Sequence, residues 1–381
     1  MARRRPDESD VRIRPSRSTR PRSKDRPEHK NAISAQVVTV DRGRTLCKTE
    51  SGVLVNAMKA RELGKNSVVV GDRVNLVGDT SGVEGSLARI VAVQPRRNFL
   101  SRTIDDADSF EKTIAANIDQ MVIVAASANP EPRHGFIDRC LAVAFDQNIV
   151  PIIIMTKSDL ADPKVTDQWI QYFNKLPKTK AIAISCKKAN EPKKILTLCM
   201  ALAPHRGTPL KPLRMMIMGV PNVGKSTLMN AILNKRIAKV GDEPAITKQQ
   251  QRHQINDHMI LVDTPGMMWP KIEHAHDGYL LAANNNIGKN AYDEEDVAIA
   301  LGEILLKHYS ELIKARFELT ELKDDSIELL EFIAKKKNFP LRNHLPNLEK
   351  AATVLLNDYR QGYLGKISIE SPESRKLKLA K

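Results

Sequence analysis

Eight consecutive residues, Gly219-Val220-Pro221-Asn222-Val223-Gly224-Lys225-Ser226, constrain the fold more than any other stretch of the chain. Two glycines are separated by four residues, and Lys-Ser follows the second. Ahead of them runs Arg214-Met215-Met216-Ile217-Met218, apolar and of strand length; behind them, Thr227 to Leu233 reads as a helix. A strand, a glycine loop and a helix in that order make a cradle for phosphates. Backbone N–H groups close around the oxygens, and the helix N-terminus adds a favourable dipole. In this reading Lys225 reaches the β- and γ-phosphates and the Ser226 hydroxyl ligates magnesium. Pro221, Asn222, Val223 and Thr227 complete the contact with the nucleotide.

The surrounding segments alternate strand with helix. Gln120 to Ala126, Ile149 to Met155 and Ala181 to Ile184 are apolar runs of strand length. Helical stretches near Phe136–Asp146, Thr166–Leu176 and Pro192–Leu202 separate them. Continuous apolar strands alternating with helices imply a parallel sheet covered on both faces, with ligands at the carboxyl ends of the strands. A short motif follows each strand. Thr156-Lys157-Ser158-Asp159 resembles the base-recognition motif of GTPases, usually Asn-Lys-x-Asp, whose carboxylate accepts two N–H bonds from guanine that adenine cannot supply. Ser185-Cys186-Lys187 resembles the Ser-Ala-Lys loop, whose backbone N–H meets the guanine carbonyl. After Met259 to Val262, Asp263-Thr264-Pro265-Gly266 places Asp263 near magnesium and the Gly266 N–H near a γ-phosphate. Thr247, in the polar segment Gly241–Arg252, is positioned to close on magnesium and the γ-phosphate. Together these motifs predict GTP and GDP as ligands, with Lys225, Thr247 and Gly266 in the catalytic set, to which resemblance to related GTPases adds Asn222. Ser226, Thr247 and Asp263 form the magnesium set.

The rest of the 381-residue chain divides around this unit. Residues 1–32 hold nine Arg, two Lys and five acids, and almost no apolar residues. Such a segment buries no core and reads as a disordered basic arm. Short alternating strands then recur at Ala35–Val40, Val53–Val55, Val68–Val77 and Leu87–Val93, with glycine turns between them. That pattern predicts a small closed barrel of oligonucleotide-binding (OB) type over 33–110. Phe99 is the one aromatic between Ala32 and Thr103, so base stacking is not its mode. Arg89, Arg96, Arg97 and Arg102 are its candidate phosphate contacts. The nucleotide unit is expected over 111–290. An all-helical region is expected over 291–381, with twelve acids and four bases in 293–331 but eleven bases and four acids in 335–381. The basic part is a candidate RNA face. The net charge of +15 points to a polyanionic partner. Cys47, Cys140, Cys186 and Cys199 are scattered, which argues against zinc or disulfides. No apolar run approaches the roughly 20 residues of a membrane span, and the N-terminus is basic and polar rather than signal-like, so a soluble cytoplasmic protein is expected; a monomer is expected as well.

The motif order carries a resemblance. In Ras-like GTPases the phosphate loop comes first and the base motifs last. Here Thr156–Asp159 and Ser185–Lys187 precede the loop, and the chain resembles the circularly permuted ribosome-assembly GTPases. Leu100-Ser101-Arg102, Ala115 to Gln120 and Ile137-Asp138-Arg139 resemble the small-subunit (RsgA/YjeQ) type, without its C-terminal zinc domain. Pro244 to Lys248, Asp263 to Lys271 and Lys350 to Lys366 resemble the large-subunit (YlqF/RbgA) type, without its N-terminal histidine segment. The resemblance implies an α/β P-loop GTPase domain, permuted, behind an all-β OB-type barrel and ahead of an all-α domain. It implies a GTP-hydrolysing switch that docks on a ribosomal subunit through rRNA, with the balance falling narrowly to the large subunit. A small-subunit maturation GTPase, a non-hydrolysing RNA-binding platform and a signalling GTPase stay open as alternatives. Thr156 stands where Asn is usual, so a tether to the phosphate loop is expected to be lost and affinity lowered. Met267 stands where a water-orienting Gln is usual, so unassisted hydrolysis is expected to be slow, at roughly 10⁻⁴ per second. His253, His274 and His276 are candidate substitutes, and Asn222 matches a potassium-binding Asn of related GTPases.

Overall fold

The computed structural model describes residues 29, 31–41, 43–64, 67–105, 108–132, 134–209, 211–235, 251–263, 275–284, 292–321, 325–340 and 345–379. The basic arm up to residue 28, Thr247, Gly266, Met267 and His274 lie outside them.

Five strands form the first unit: β1 (Ile33–Asp41), β2 (Arg44–Thr49), β3 (Leu54–Lys59), β4 (Arg73–Gly78) and β5 (Ala88–Val93). They close into a barrel in the order β1-β2-β3-β5-β4, with β4 pairing back onto β1. This is the expected barrel. Val37, Cys47, Val55, Val74, Leu76 and Ile90 point inward and are fully buried. Apolar periodicity did not reveal β2, because two of its three inward residues, Thr45 and Thr49, are polar. A hairpin of β6 (Phe99–Asp105) and β7 (Asp108–Ala116) follows.

The second unit is a six-stranded sheet made of β8 (Gln120–Ala126), β9 (Val150–Thr156), β10 (Lys180–Ala183), β11 (Leu213–Met218), β12 (Gln251–Asn256) and β13 (Met259–Asp263). Its order is β10-β9-β8-β11-β13-β12, and only β12 runs antiparallel to its neighbour. Four helices belong to it: α1 (His134–Asp146), α2 (Pro163–Asn174), α3 (Glu191–Ala201) and α4 (Lys225–Leu233). Ile152, Ile153 and Ile154 of β9 are fully buried, each contributing about 2 kcal/mol by leaving water. The chain steps outward from β8 to β9 and β10, then returns through α3 to β11 on the other side of β8. That reversal opens a crevice at the carboxyl ends of β8 and β11.

The third unit is helical: α5 (Ala275–Ala283), α6 (Glu294–His308), α7 (Ser310–Phe317), α8 (Ser326–Lys336), α9 (Leu348–Gln361) and α10 (Pro372–Leu379). Leu301, Leu305, Leu329, Leu330, Ile333, Leu355 and Leu356 share its core. Asp293 caps α6, its carboxylate accepting from the Glu295 N–H at 2.8 Å. Glu294, Glu295 and Asp296 occupy the first turn of α6, and Lys307 and His308 the last. Part of the acidic bias of this region therefore complements a helix dipole.

Both flanking units grip the sheet. Gly71 approaches the β7 end so closely that a Cβ there would lie 2.1 Å from the Ala116 carbonyl oxygen. Val70 bridges to Ala115, and Asn117 Nδ2 donates to the Gly71 carbonyl at 3.0 Å. Two of the arginines offered as RNA contacts are spent here. Arg96 donates to both oxygens of the fully buried Asp72, at 2.7 and 2.9 Å. Arg97 pairs with Asp119 and with the Ile118 carbonyl. Arg89 is exposed beside Glu62, and the Arg102 side chain lies outside the described residues.

Candidate functional site

The turn from β11 into α4 is Gly219–Gly224. Gly219 sits where a Cβ would meet the Val124 carbonyl oxygen at 2.5 Å, so no larger residue fits. Gly224 enters α4 in the left-handed region, at φ 88°. Asn222 is also left-handed, at φ 59°. Lys225, 8% exposed, folds back over the loop, its Nζ donating to the carbonyls of Gly219 at 2.8 Å and Val220 at 2.6 Å. Burial lowers its pKa to about 8, against the opposing pull of Asp263. Ser226 is half-buried and Thr227 exposed in the first turn of α4. Asp263 ends β13, level in register with Ile217 of β11, and is 3% exposed. A hydroxyl at a helix start and a buried carboxylate on the adjacent strand end are a donor set suited to magnesium, an oxygen-seeking cation.

The base motif lies across the crevice. Thr156 ends β9 and is 1% exposed. Its hydroxyl donates to the Val223 carbonyl of the phosphate loop and lies 3.2 Å from the Ala125 carbonyl. The expected loss of a tether is therefore corrected: a shorter side chain makes the link. Lys157, in the left-handed region at φ 55°, sends its ammonium to the Asn129 carbonyl. Asp159 accepts from Ser185 Oγ at 2.8 Å and pairs with Lys187 Nζ at 2.7 Å. Burial works to raise the Asp159 carboxyl, but these two partners outweigh it and hold it below the usual carboxylate range. The Ser185-Cys186-Lys187 turn thus stands beside Asp159, as the motif order anticipated, and the Ser185 N–H donates to Glu191. Burial, with Asp159 and Glu191 adding to it, pushes the Cys186 thiol up to about 11, so it stays protonated.

Sequence reasoning missed Asn129 and Glu191. The partnership of Asn129 with Lys157 depends on the fold. Of the candidate histidines, His253 sits on β12, its imidazole held below the ordinary range by burial. His276 lies on α5.

A glycine phosphate loop at the sheet's switch point, with Asp263 beside it and the base motif ahead of it in sequence, defines a circularly permuted P-loop GTPase. The family model described as RsgA GTPase matches residues 93–273, and the one described as 50S ribosome-binding GTPase matches 214–339. Ribosome biogenesis GTPase A of Bacillus cereus is 35% identical over 229 residues, 58% of this chain and 77% of the relative. That of Priestia megaterium is 34% identical over 229 residues, 58% and 79% respectively. The crystal structure of YjeQ from Thermotoga maritima aligns with 86% of this chain and 98% of its own, at 17% identity and a TM-score of 0.46. The chain belongs to the ribosome biogenesis GTPase family, and it hydrolyses GTP.

Proposed function

We propose that this protein is a GTP-driven switch in large-subunit assembly, acting as a cytoplasmic monomer that docks on rRNA. The observation that carries the nucleotide part is the junction of base motif and phosphate loop, Thr156 on Val223, with Asp159 held ionised beside Ser185 and Lys187. Asp159 accepts the guanine N–H groups, Lys157 covers the base, and the Ser185-Cys186-Lys187 turn meets its carbonyl. Gly219 to Gly224 cradle the phosphates with Lys225 and Thr227. Ser226, Asp263 and Thr247 would hold magnesium, which would supply positive charge beside the phosphates. The Gly266 N–H meets the γ-phosphate, and Asn222 recruits potassium to the same charge. The description of the second family model, 50S ribosome-binding GTPase, favours the large subunit. The closed barrel and the RsgA match favour a small-subunit reading, which stands second. No helix among the described residues is long and apolar enough to cross a membrane.

Asp159→Asn reverses the hydrogen-bond polarity presented to the base. Preference should move from GTP to xanthosine triphosphate, measured as competition for a fluorescent nucleotide; unchanged GTP affinity would show that Asp159 does not read the base. Turnover should be faster in potassium than in sodium, and equal rates would remove Asn222 from the catalytic set.

A further inference from the structure

Lys157 and Asp159 sit on a loop closed by the Leu160 N–H on the Lys157 carbonyl at 2.9 Å and tied to the next strand by the Ser158 N–H on the Ile184 carbonyl at 3.2 Å. Lys157 is held at φ 55°, and its neighbour in space, Asn129, at φ 47°. Backbone in this region persists only when its surroundings over-determine it. Much of that surrounding comes from the other end of the chain. The Ile367 N–H donates to the Leu160 carbonyl at 3.0 Å, one residue past Asp159. The Asp162 N–H donates to Ser368 Oγ at 3.2 Å. The Ile369 N–H donates to Glu131 Oε1 at 2.9 Å, and Trp169 Nε1 donates to the Glu370 carbonyl at 3.2 Å. Tyr309 fixes this segment from behind: its hydroxyl donates to the Ser368 carbonyl at 2.8 Å and accepts from the Ser368 N–H at 3.1 Å. Ile367, Ser368, Ile369 and Glu370 are all buried.

A second run of bonds leads from the same loop toward the helix beyond Asp263. Lys157 reaches the Asn129 carbonyl, and Asn129 Nδ2 donates to the Arg360 carbonyl at 2.9 Å. The Arg360 guanidinium donates to the last carbonyls of α5, Ala283 at 2.7 Å and Ala282 at 2.9 Å. One segment, 360–370, therefore holds both the base loop and the end of α5.

We propose that residues 360–370 are a positioning element for guanine recognition. They brace the loop that carries Lys157 and Asp159, so seating of the helical unit and retention of the base are coupled. The brace acts through the loop. By reciprocity, a bound base tightens the brace as much as the brace tightens the base. A partner that pulls the helical unit aside loosens guanine nucleotide and leaves the phosphate loop as it was. This rests on the base-reading role proposed for Asp159, which the xanthosine switch tests on its own.

The full chain carrying Tyr309→Phe and Ser368→Ala together tests the brace, because both changes remove hydroxyls and leave the apolar packing. Release of a fluorescent GDP should accelerate about tenfold, within the usual range of coupling between sites. Binding of inorganic tripolyphosphate, which has no base, should stay at the wild-type level. In the wild type, GDP should slow hydrogen exchange at the Ile367 and Ile369 amides. Unchanged GDP release, in a variant whose Ile367 amide exchanges faster, would overturn the proposal. Equal weakening of GDP and tripolyphosphate would also overturn it, because a general loosening of the fold acts on both.

Discussion

At the scale of single residues, two side chains depart from what their types suggest, and each sets an expectation. The Thr156 hydroxyl replaces a longer amide as the link between base loop and phosphate loop, and it is buried between the Ala125 and Val223 carbonyls. Thr156→Val keeps the shape but leaves the Val223 carbonyl without its donor. A buried acceptor left unpaired costs about 1–3 kcal/mol, so GDP affinity should fall roughly tenfold or more. Thr156→Ser keeps the hydroxyl and should bind close to wild type; equal loss in both variants would mean that the methyl packing carries the effect, not the tether. Lys225 sets a pH dependence. Without nucleotide its pKa is lowered from 10.5 to about 8 by burial. Phosphates beside it favour the ammonium and raise that value. The free protein thus holds fewer protons than the complex above pH 8, and binding takes one up. Affinity for GDP should be flat below pH 8 and fall as pH rises through it. Proton uptake measured by titration calorimetry in two buffers at pH 9 checks this, and a pH-independent affinity between 7 and 9.5 would refute it.

At the scale of elements, what the sequence disclosed follows from how each element is buried. Strand β9 was legible because both its faces are covered, which demands a continuous apolar run such as Ile152-Ile153-Ile154. The nucleotide motifs were legible because each needs particular residue types at a strand end, and that need survives in any fold context. Strand β2 was not, because Thr45, Cys47 and Thr49 face the core of a small barrel where little space is left. The β6–β7 hairpin carries Ser101, Arg102, Thr103, Glu111 and Lys112 in mid-strand, so its sequence offers no apolar alternation to read. Arg360 shows the limit most clearly. By charge it belongs to the basic C-terminal stretch offered as an RNA face. Its guanidinium instead completes the carbonyl end of α5, where a cation is favourable both as donor and toward the dipole. Periodicity assigns a residue to a face, but not to a partner 77 positions away. The same holds for the contact of Ile369 with Glu131, which are separated by 238 positions.

At the scale of the whole molecule, the two flanking units grip the sheet at different places. The barrel is tied at the amino-terminal ends of β8 and β11, through Val70–Ala115, Asn117–Gly71 and the cluster in which Asp119 accepts from Arg97 and from the Arg214 N–H. The glycine loop Gly219–Gly224 lies at the opposite, carboxyl end of β11. The helical unit holds the base loop through 360–370 and continues from Asp263 through α5. A ligand shifts an equilibrium only through contacts that differ between states, so on the proposed reading the barrel is the anchor and the helical unit the reader. The subunit that stimulates hydrolysis should therefore be the one the helical unit touches, which the large-subunit reading names. Cosedimentation with large subunits should need GTP and weaken with Lys366→Glu, an exposed position. Arg360 is unsuitable for that test, because neutralising it frees the end of α5. With a net charge of +15, binding should fall steeply with salt, at about 0.9 in log–log slope per phosphate neutralised on duplex-like RNA. Deleting residues 1–32, which carry nine Arg and two Lys against five acids, should flatten that slope while leaving the GTP requirement intact. Cosedimentation and stimulation by small subunits alone, indifferent to Lys366→Glu, would reverse the assignment and make the barrel the reader.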